Sequence, residues 1–117
     1  IHSSTPWQPP TDVYETPDDV VVKMSIPGTN SEDIRVSFSG EVLTISGFTT
    51  DTSPYEKICF YQVEIRYGYF ERSIFIPKPI DKGNIQATYK DGFLHVILPK
   101  TKQQSAQKLS IKINFHQ

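Results

Sequence analysis

The sequence predicts an all-β fold, an antiparallel sandwich of about eight short strands. Three observations predict it. Apolar residues alternate with polar ones at a period of two through most of the chain, as they do on a strand with one buried face. Turn residues interrupt those runs at a spacing of about 8–12 residues, the interval expected of two packed sheets of short strands. No segment sustains the helical period of about 3.6 residues.

The elements follow in order. Val20, Val22, Met24 and Ile26 alternate with Val21, Lys23 and Ser25, and Pro27-Gly28 ends that strand. Asn30-Ser31-Glu32-Asp33 suits one short helical turn or a tight bend. Ile34, Val36 and Phe38 alternate with Arg35 and Ser37, a second strand. Ser39-Gly40-Glu41 turns the chain into Val42-Leu43-Thr44-Ile45-Ser46, which Gly47 ends. Residues 48–55 are polar and read as a loop. Residues 57–66 (KICFYQVEIR) are rich in β-branched and aromatic types and are expected to form a strand. Tyr67-Gly68 breaks the run, and Phe70 to Ile76 is the next strand, closed by Pro77-Lys78-Pro79. After a turn at Lys82-Gly83, Ile85, Ala87 and Tyr89 alternate with Gln86 and Thr88. Lys90-Asp91-Gly92 is the strongest local signal, because glycine accepts the positive φ of a tight hairpin. Phe93 to Leu98 is apolar on both faces apart from His95, as a central strand would be, and Pro99 stops it.

The two ends differ from this body. Residues 1–12 hold three prolines and the sole tryptophan, and read as an extended arm. Trp7 is expected to pack on the domain or on a partner. The chain opens at Ile1 rather than Met, which suggests a processed or excised piece. Residues 100–110 are polar and rich in Lys and Gln, a solvated tether. It leads to Leu109-Ser110-Ile111-Lys112-Ile113-Asn114-Phe115, an alternating apolar strip that must bury itself somewhere.

Composition bounds the function. The 117 residues make one domain. A chain of that size buries roughly 65% of its unfolded surface, enough for one core. The net charge of −1 argues against a nucleic-acid binder held by a positive field. Four lysines and no acids follow residue 92, but spread charges of that number read as a solvated tail. The lone Cys59 fits a reducing compartment, hence the cytoplasm, and its apolar neighbours Ile58 and Phe60 suit a small buried hydrophobe. No apolar run of about 18 residues spans a membrane, and no signal peptide is seen.

No catalytic centre is apparent. His2 and His116 lie at the ends and His95 sits mid-strand, so none is paired with a nucleophile. Cys, His and carboxylates do not cluster at metal-ligand spacing. Asp18-Asp19 and Glu32-Asp33 fall at turns, where acids act as caps. No glycine-rich phosphate loop occurs, so neither ATP nor any other cofactor has support.

Read together, these features resemble the small heat-shock protein family and its α-crystallin domain, across roughly residues 7–113. Ala87-Thr88-Tyr89-Lys90-Asp91-Gly92-Phe93-Leu94 fits the family's A-x-x-x-n-G-x-L signature. Ile26-Pro27-Gly28, then Glu32-Asp33-Ile34 and Leu43-Thr44-Ile45-Ser46-Gly47, look like its strand–turn–strand opening. Tyr69 to Pro77 is similar to its F-x-R-x-F-x-L-P segment, with Ile74 where an aromatic is common. Ile111-Lys112-Ile113 matches its C-terminal I-x-I motif. The resemblance implies an immunoglobulin-like α-crystallin domain over residues 13–99. It would lie between the remnant of an N-terminal arm (1–12) and a C-terminal extension (100–117).

It further implies an ATP-independent chaperone that captures partly unfolded proteins and assembles into oligomers of dimers. A strand from about Pro54 to Gln62 would cross to a partner subunit, with Glu56, Ile58, Phe60 and Glu64 at the dimer interface. Arg72 matches the family's interface arginine. On its own terms, Arg72 shares strand parity with Phe70, Ile74 and Ile76, where a charge needs a partner; Glu56 or Glu64 is the candidate, and snorkelling to water is the alternative. Ile111 and Ile113, two apart, point the same way and would plug a groove. The family places it between Ile34, Val36 and Phe38 on one side and Ile85 and Ala87 on the other. A fold-back of residues 109–115 onto their own domain is the competing reading.

Two other functions compete: a monomeric β-sandwich co-chaperone or adaptor that binds one folded partner, and an enzyme or carbohydrate-binding module using Tyr14, Tyr55, Tyr61, Tyr67, Tyr69 and Trp7. The I-x-I strip and the Arg72 segment speak against the adaptor. Aromatics in strands are more often core or interface than sugar platforms.

Overall fold

The computed structural model describes residues 6–101. Among them are seven strands: β1 (Thr11–Glu15), β2 (Asp19–Ser25), β3 (Arg35–Ser39), β4 (Val42–Thr49), β5 (Gly68–Phe75), β6 (Gln86–Lys90) and β7 (Phe93–Pro99). They form two antiparallel sheets, one ordered β1-β2-β7-β6 and the other β3-β4-β5. The all-β sandwich expected from the alternation is therefore the fold.

The core lies between the sheets. The inward residues of β2 (Val20, Val22, Met24) and β7 (Leu94, Val96, Leu98) meet Leu43 and Ile45 of β4 and Phe70 of β5, with Ile26 and Ile76 closing the ends. β7, apolar on both faces, sits between β2 and β6, as its composition anticipated. The β6–β7 hairpin turns at Asp91 (φ 55°) and Gly92 (φ 83°). Two positive φ values define the type I′ turn, whose twist matches the strands it joins. The hairpin is fastened to the end of β2: Ile26 N–H donates to the Gly92 carbonyl at 2.8 Å, and the Tyr89 hydroxyl donates to the Ile26 carbonyl at 2.8 Å.

Two elements differ from expectation. Residues 57–66 form no strand and β1 takes a place ahead of β2, so the described residues hold seven strands; the expected strip at 109–115 lies outside them. Strand propensity alone does not make a strand; the backbone donors need an edge to pair with. Among the described residues no edge receives them. Conversely, β1 straddles the expected boundary between arm and domain. Val13 and Tyr14 supply the propensity, and Thr16 closes the hairpin to β2. Its N–H donates to the Asp19 carbonyl at 2.8 Å, and Asp19 N–H donates to its hydroxyl at 2.9 Å.

The arm ahead of β1 crosses between the sheets. Trp7 bridges the outer edge of β5: its N–H donates to the Tyr69 carbonyl at 3.3 Å, and Glu71 N–H donates to its carbonyl at 3.4 Å. The indole stands edge-on to Phe70, ring centroids 6.0 Å apart. Trp7 thus packs on its own domain.

A buried pair ties the turn after β2 to the end of β4. The hydroxyls of Thr29 and Thr49 lie 2.8 Å apart, and both residues are buried. Thr49→Val keeps the shape but strands the Thr29 hydroxyl. The expected loss is about 1–3 kcal/mol, read from a denaturant midpoint with unchanged slope.

Candidate protein-interaction surfaces

Three surfaces are unfinished within the subunit. The first is a groove between the sheets on the side where both end in open strands, β3 and β6. Val36 and Phe38 of β3, with Ser37, face Ile85 and Ala87 across a cavity of about 320 Å³, floored by Leu43 and flanked by Lys82. The strand period puts Val36 and Phe38 on one side of β3, and the short 3-10 turn Lys82–Asn84 delivers Ile85 opposite them. The Lys82 ammonium lies 5.6 Å from the Phe38 ring centroid, at cation–π range. A second cavity of about 350 Å³ shares Phe38 and Lys82 and continues past Pro77, Pro79 and Ile80 to Thr101, where the described chain ends.

Four of the five groove residues expected from the sequence are therefore brought together. Ile34 packs against the core beside them but does not line the cavity. Leu43 and Lys82 were not anticipated. Leu43 reads as core, and Lys82 as a turn residue; only the pairing of the two sheets places them here.

The second surface is residues 50–67, every one of them exposed. Tyr61 is 100% exposed, Ile58 96% and Ile65 71%, values that exclude packing on their own domain. The segment is pinned at its start. The Asp51 carboxylate accepts from Ser53 N–H at 2.9 Å and from the Ser53 hydroxyl at 2.6 Å, and pairs with Lys57 at 2.8 Å. The Lys57 ammonium, helped by the Ser53 donors, holds the Asp51 carboxyl well below its ordinary range. Glu56, Ile58, Phe60 and Glu64 all lie on this exposed segment. Cys59 is exposed in this subunit as well, not buried as its neighbours suggested.

The third is the free edge of β1, where residues 12–15 are exposed. At its end Glu15 pairs with Lys100 at 2.8 Å and Lys78 at 3.8 Å, and the Lys100 ammonium lowers its carboxyl pKa. Near its start Arg72 is half-buried, and its guanidinium donates to the Pro9 carbonyl at 3.1 Å. Among the described residues Arg72 has no carboxylate partner. Ile111 and Ile113 lie outside the described residues.

Among the described residues no group of three or more His, Cys, Asp and Glu is placed to hold a metal ion. No helix among them is long and apolar enough to cross a membrane.

Comparison with known proteins agrees with this geometry. The profile of the Hsp20/alpha crystallin family matches residues 12–114. Small heat shock protein C2 of Rickettsia felis is 33% identical over 89% of this chain and 68% of its own length. Heat shock protein 16 of Schizosaccharomyces pombe is 38% identical over 89% of this chain and 75% of its own. The crystal structure of hspA from Xanthomonas axonopodis superposes with a TM-score of 0.73 at 30% identity, covering 82% of this chain and 96% of that one. A sandwich with open edges, an inter-sheet groove and a family match over nearly its whole length places this chain in the Hsp20/alpha crystallin family, among the small heat shock proteins.

Proposed function

We propose that this chain is an ATP-independent holdase, a chaperone that binds partly unfolded polypeptides and keeps them from aggregating, and that it works as oligomers built from dimers in the reducing cytoplasm. The observation that carries the reading is the exposed segment 50–67. Tyr55, Ile58, Phe60, Tyr61, Val63 and Ile65 all stand in solvent, in a subunit whose sheets also leave strand edges open. Contiguous apolar surface of that kind marks a binding site rather than a free exterior. Open edges accept added strands through backbone hydrogen bonds, which are blind to client sequence. That chemistry suits capture of many clients and needs no nucleotide.

In this reading residues 54–62 cross to a second subunit, and Arg72 meets Glu56 or Glu64 of that copy. Ile111 and Ile113 enter the groove between β3 and β6 of a neighbour. The match spans 68% and 75% of the length of the two heat shock relatives, whose names support a stress-related reading.

The test is aggregation of a heat-labile client followed by light scattering, with this protein equimolar and nucleotide absent. Suppressed scattering is the expected outcome. A trace identical to that of client alone would exclude the holdase reading.

A further inference from the structure

Two isoleucines account for one cavity of the groove, and the groove has two. The cavity of about 320 Å³ opens past Phe38 and Lys82, which line both, into the one of about 350 Å³ beside Pro77, Pro79 and Ile80. Resting on the reading that Ile111 and Ile113 of a neighbour enter the first, we infer that the second is a pocket for Phe115 of the same tail. The tail then runs along the groove with residue 115 toward Pro79 and residue 109 away from it.

The tail carries more apolar anchors than the isoleucine pair. Leu109, Ile111, Ile113 and Phe115 share one parity, and Ser110, Lys112 and Asn114 share the other. An extended tail therefore shows four apolar side chains on one face, about 6.6 Å apart. Val36 and Phe38 repeat at the same spacing along β3, so the isoleucines step at the pitch of the wall. Two residues beyond Phe38 stands Gly40, in the wall of the second cavity. It has no side chain, and a Cβ built on it would meet nothing within 4 Å. The wall leaves room where the tail's next anchor falls.

The second cavity has a fixed frame. Ile76 N–H donates to the Glu41 carbonyl at 2.8 Å, which ties the Gly40–Glu41 turn to the end of β5. Asp81 N–H donates to the Pro99 carbonyl at 2.8 Å, and Thr101 N–H donates to the Pro79 carbonyl at 3.0 Å. These bonds hold the proline-rich loop against the end of β7. Backbone held at both ends keeps the hollow open rather than letting it collapse.

Charge and ring chemistry set the direction. Lys78 and Lys82 both line the second cavity, and Glu41 is the carboxylate there. Reversing the tail would bring Leu109 to this cavity and Lys108 beside two ammonium groups. Phe115 brings Asn114 and no lysine. Its ring also offers a face to an ammonium, as the Phe38 ring does to Lys82 at 5.6 Å, which leucine cannot do.

The experiment uses the full chain in a Cys59→Ser background. Glu41→Cys is mixed with Phe115→Cys, or with Leu109→Cys, and treated with a short bifunctional thiol reagent. Its reach is chosen well under the roughly 20 Å that separates positions 109 and 115 in a strand. A covalent dimer with Phe115→Cys, formed in the mixture and in neither variant alone, is the expected result, with none from Leu109→Cys. In sedimentation, Phe115→Ala should weaken higher assembly by about 10-fold or more, and Leu109→Ala should leave it nearly unchanged. Cross-linking to Leu109→Cys instead, or to neither, overturns the pocket. So does a Phe115→Ala mass distribution that matches the unsubstituted chain while the variant with both Ile111→Ala and Ile113→Ala falls to dimers, and there the groove reading stands. If the double variant also keeps its mass, both fail.

Discussion

Phe70→Ala is expected to lower stability by about 3–5 kcal/mol, the range for truncating a large buried aromatic. Phe70 is wholly buried in β5 and belongs to the central core cluster. The sequence makes room for it on one side and covers it on the other. A Cβ on Gly47 would stand 2.6 Å from the Phe70 ring, so only glycine fits across from it in β4. Trp7 closes the opposite side. The truncation therefore leaves a cavity and also loosens the arm ahead of β1, which Trp7 and the Arg72–Pro9 hydrogen bond fasten to β5. Two readings check this together: the denaturant midpoint, and the emission of Trp7, the sole tryptophan, which should shift to the red in the native state. A loss under about 1 kcal/mol with unshifted emission would show that neither the packing nor the arm depends on this ring.

Replacing Ile111 and Ile113 together by alanine is expected to weaken higher assembly by about 10²–10⁴-fold. The figure follows from about 1.5–3 kcal/mol for each buried isoleucine and about 1.4 kcal/mol per decade of affinity. The groove of Val36, Phe38, Ile85 and Ala87 is apolar, lies between two open edges and has room for branched side chains. Dimers should persist in the variant, because the segment at 54–62 is untouched. Sedimentation across a concentration series reads both effects. An unchanged mass distribution would remove the groove's role as the receiver of the tail.

Much of this was legible in the sequence because it depends on local pattern. The period-two run from Val20 to Ile26 could only be a strand with one buried face, and Asp91-Gly92 could only be a tight turn. The groove was legible in part: Val36, Phe38, Ile85 and Ala87 sit on strands whose parity is readable, whereas Leu43 and Lys82 join them only through sheet pairing. β1 was missed because its five residues follow Pro9-Pro10 and hold just Val13 and Tyr14 as apolar types. Its existence depends on the Thr16–Asp19 turn that folds it onto β2. Residues 57–66 fail the other way. Their composition says strand, but a strand is a property of a pair, and no partner lies among the described residues. Arg72 shows the same limit, since parity put it on an apolar face while the Pro9 carbonyl that meets it comes from far along the chain.

The central claim is that this segment is completed by another copy. Amide hydrogen exchange at residues 57–65 and 11–15 of the full chain, followed from high to low protein concentration, tests it most directly. The account predicts protection of both stretches when the protein is concentrated, lost together on dilution. Exchange at the free-chain rate over residues 57–65 at every concentration would contradict it.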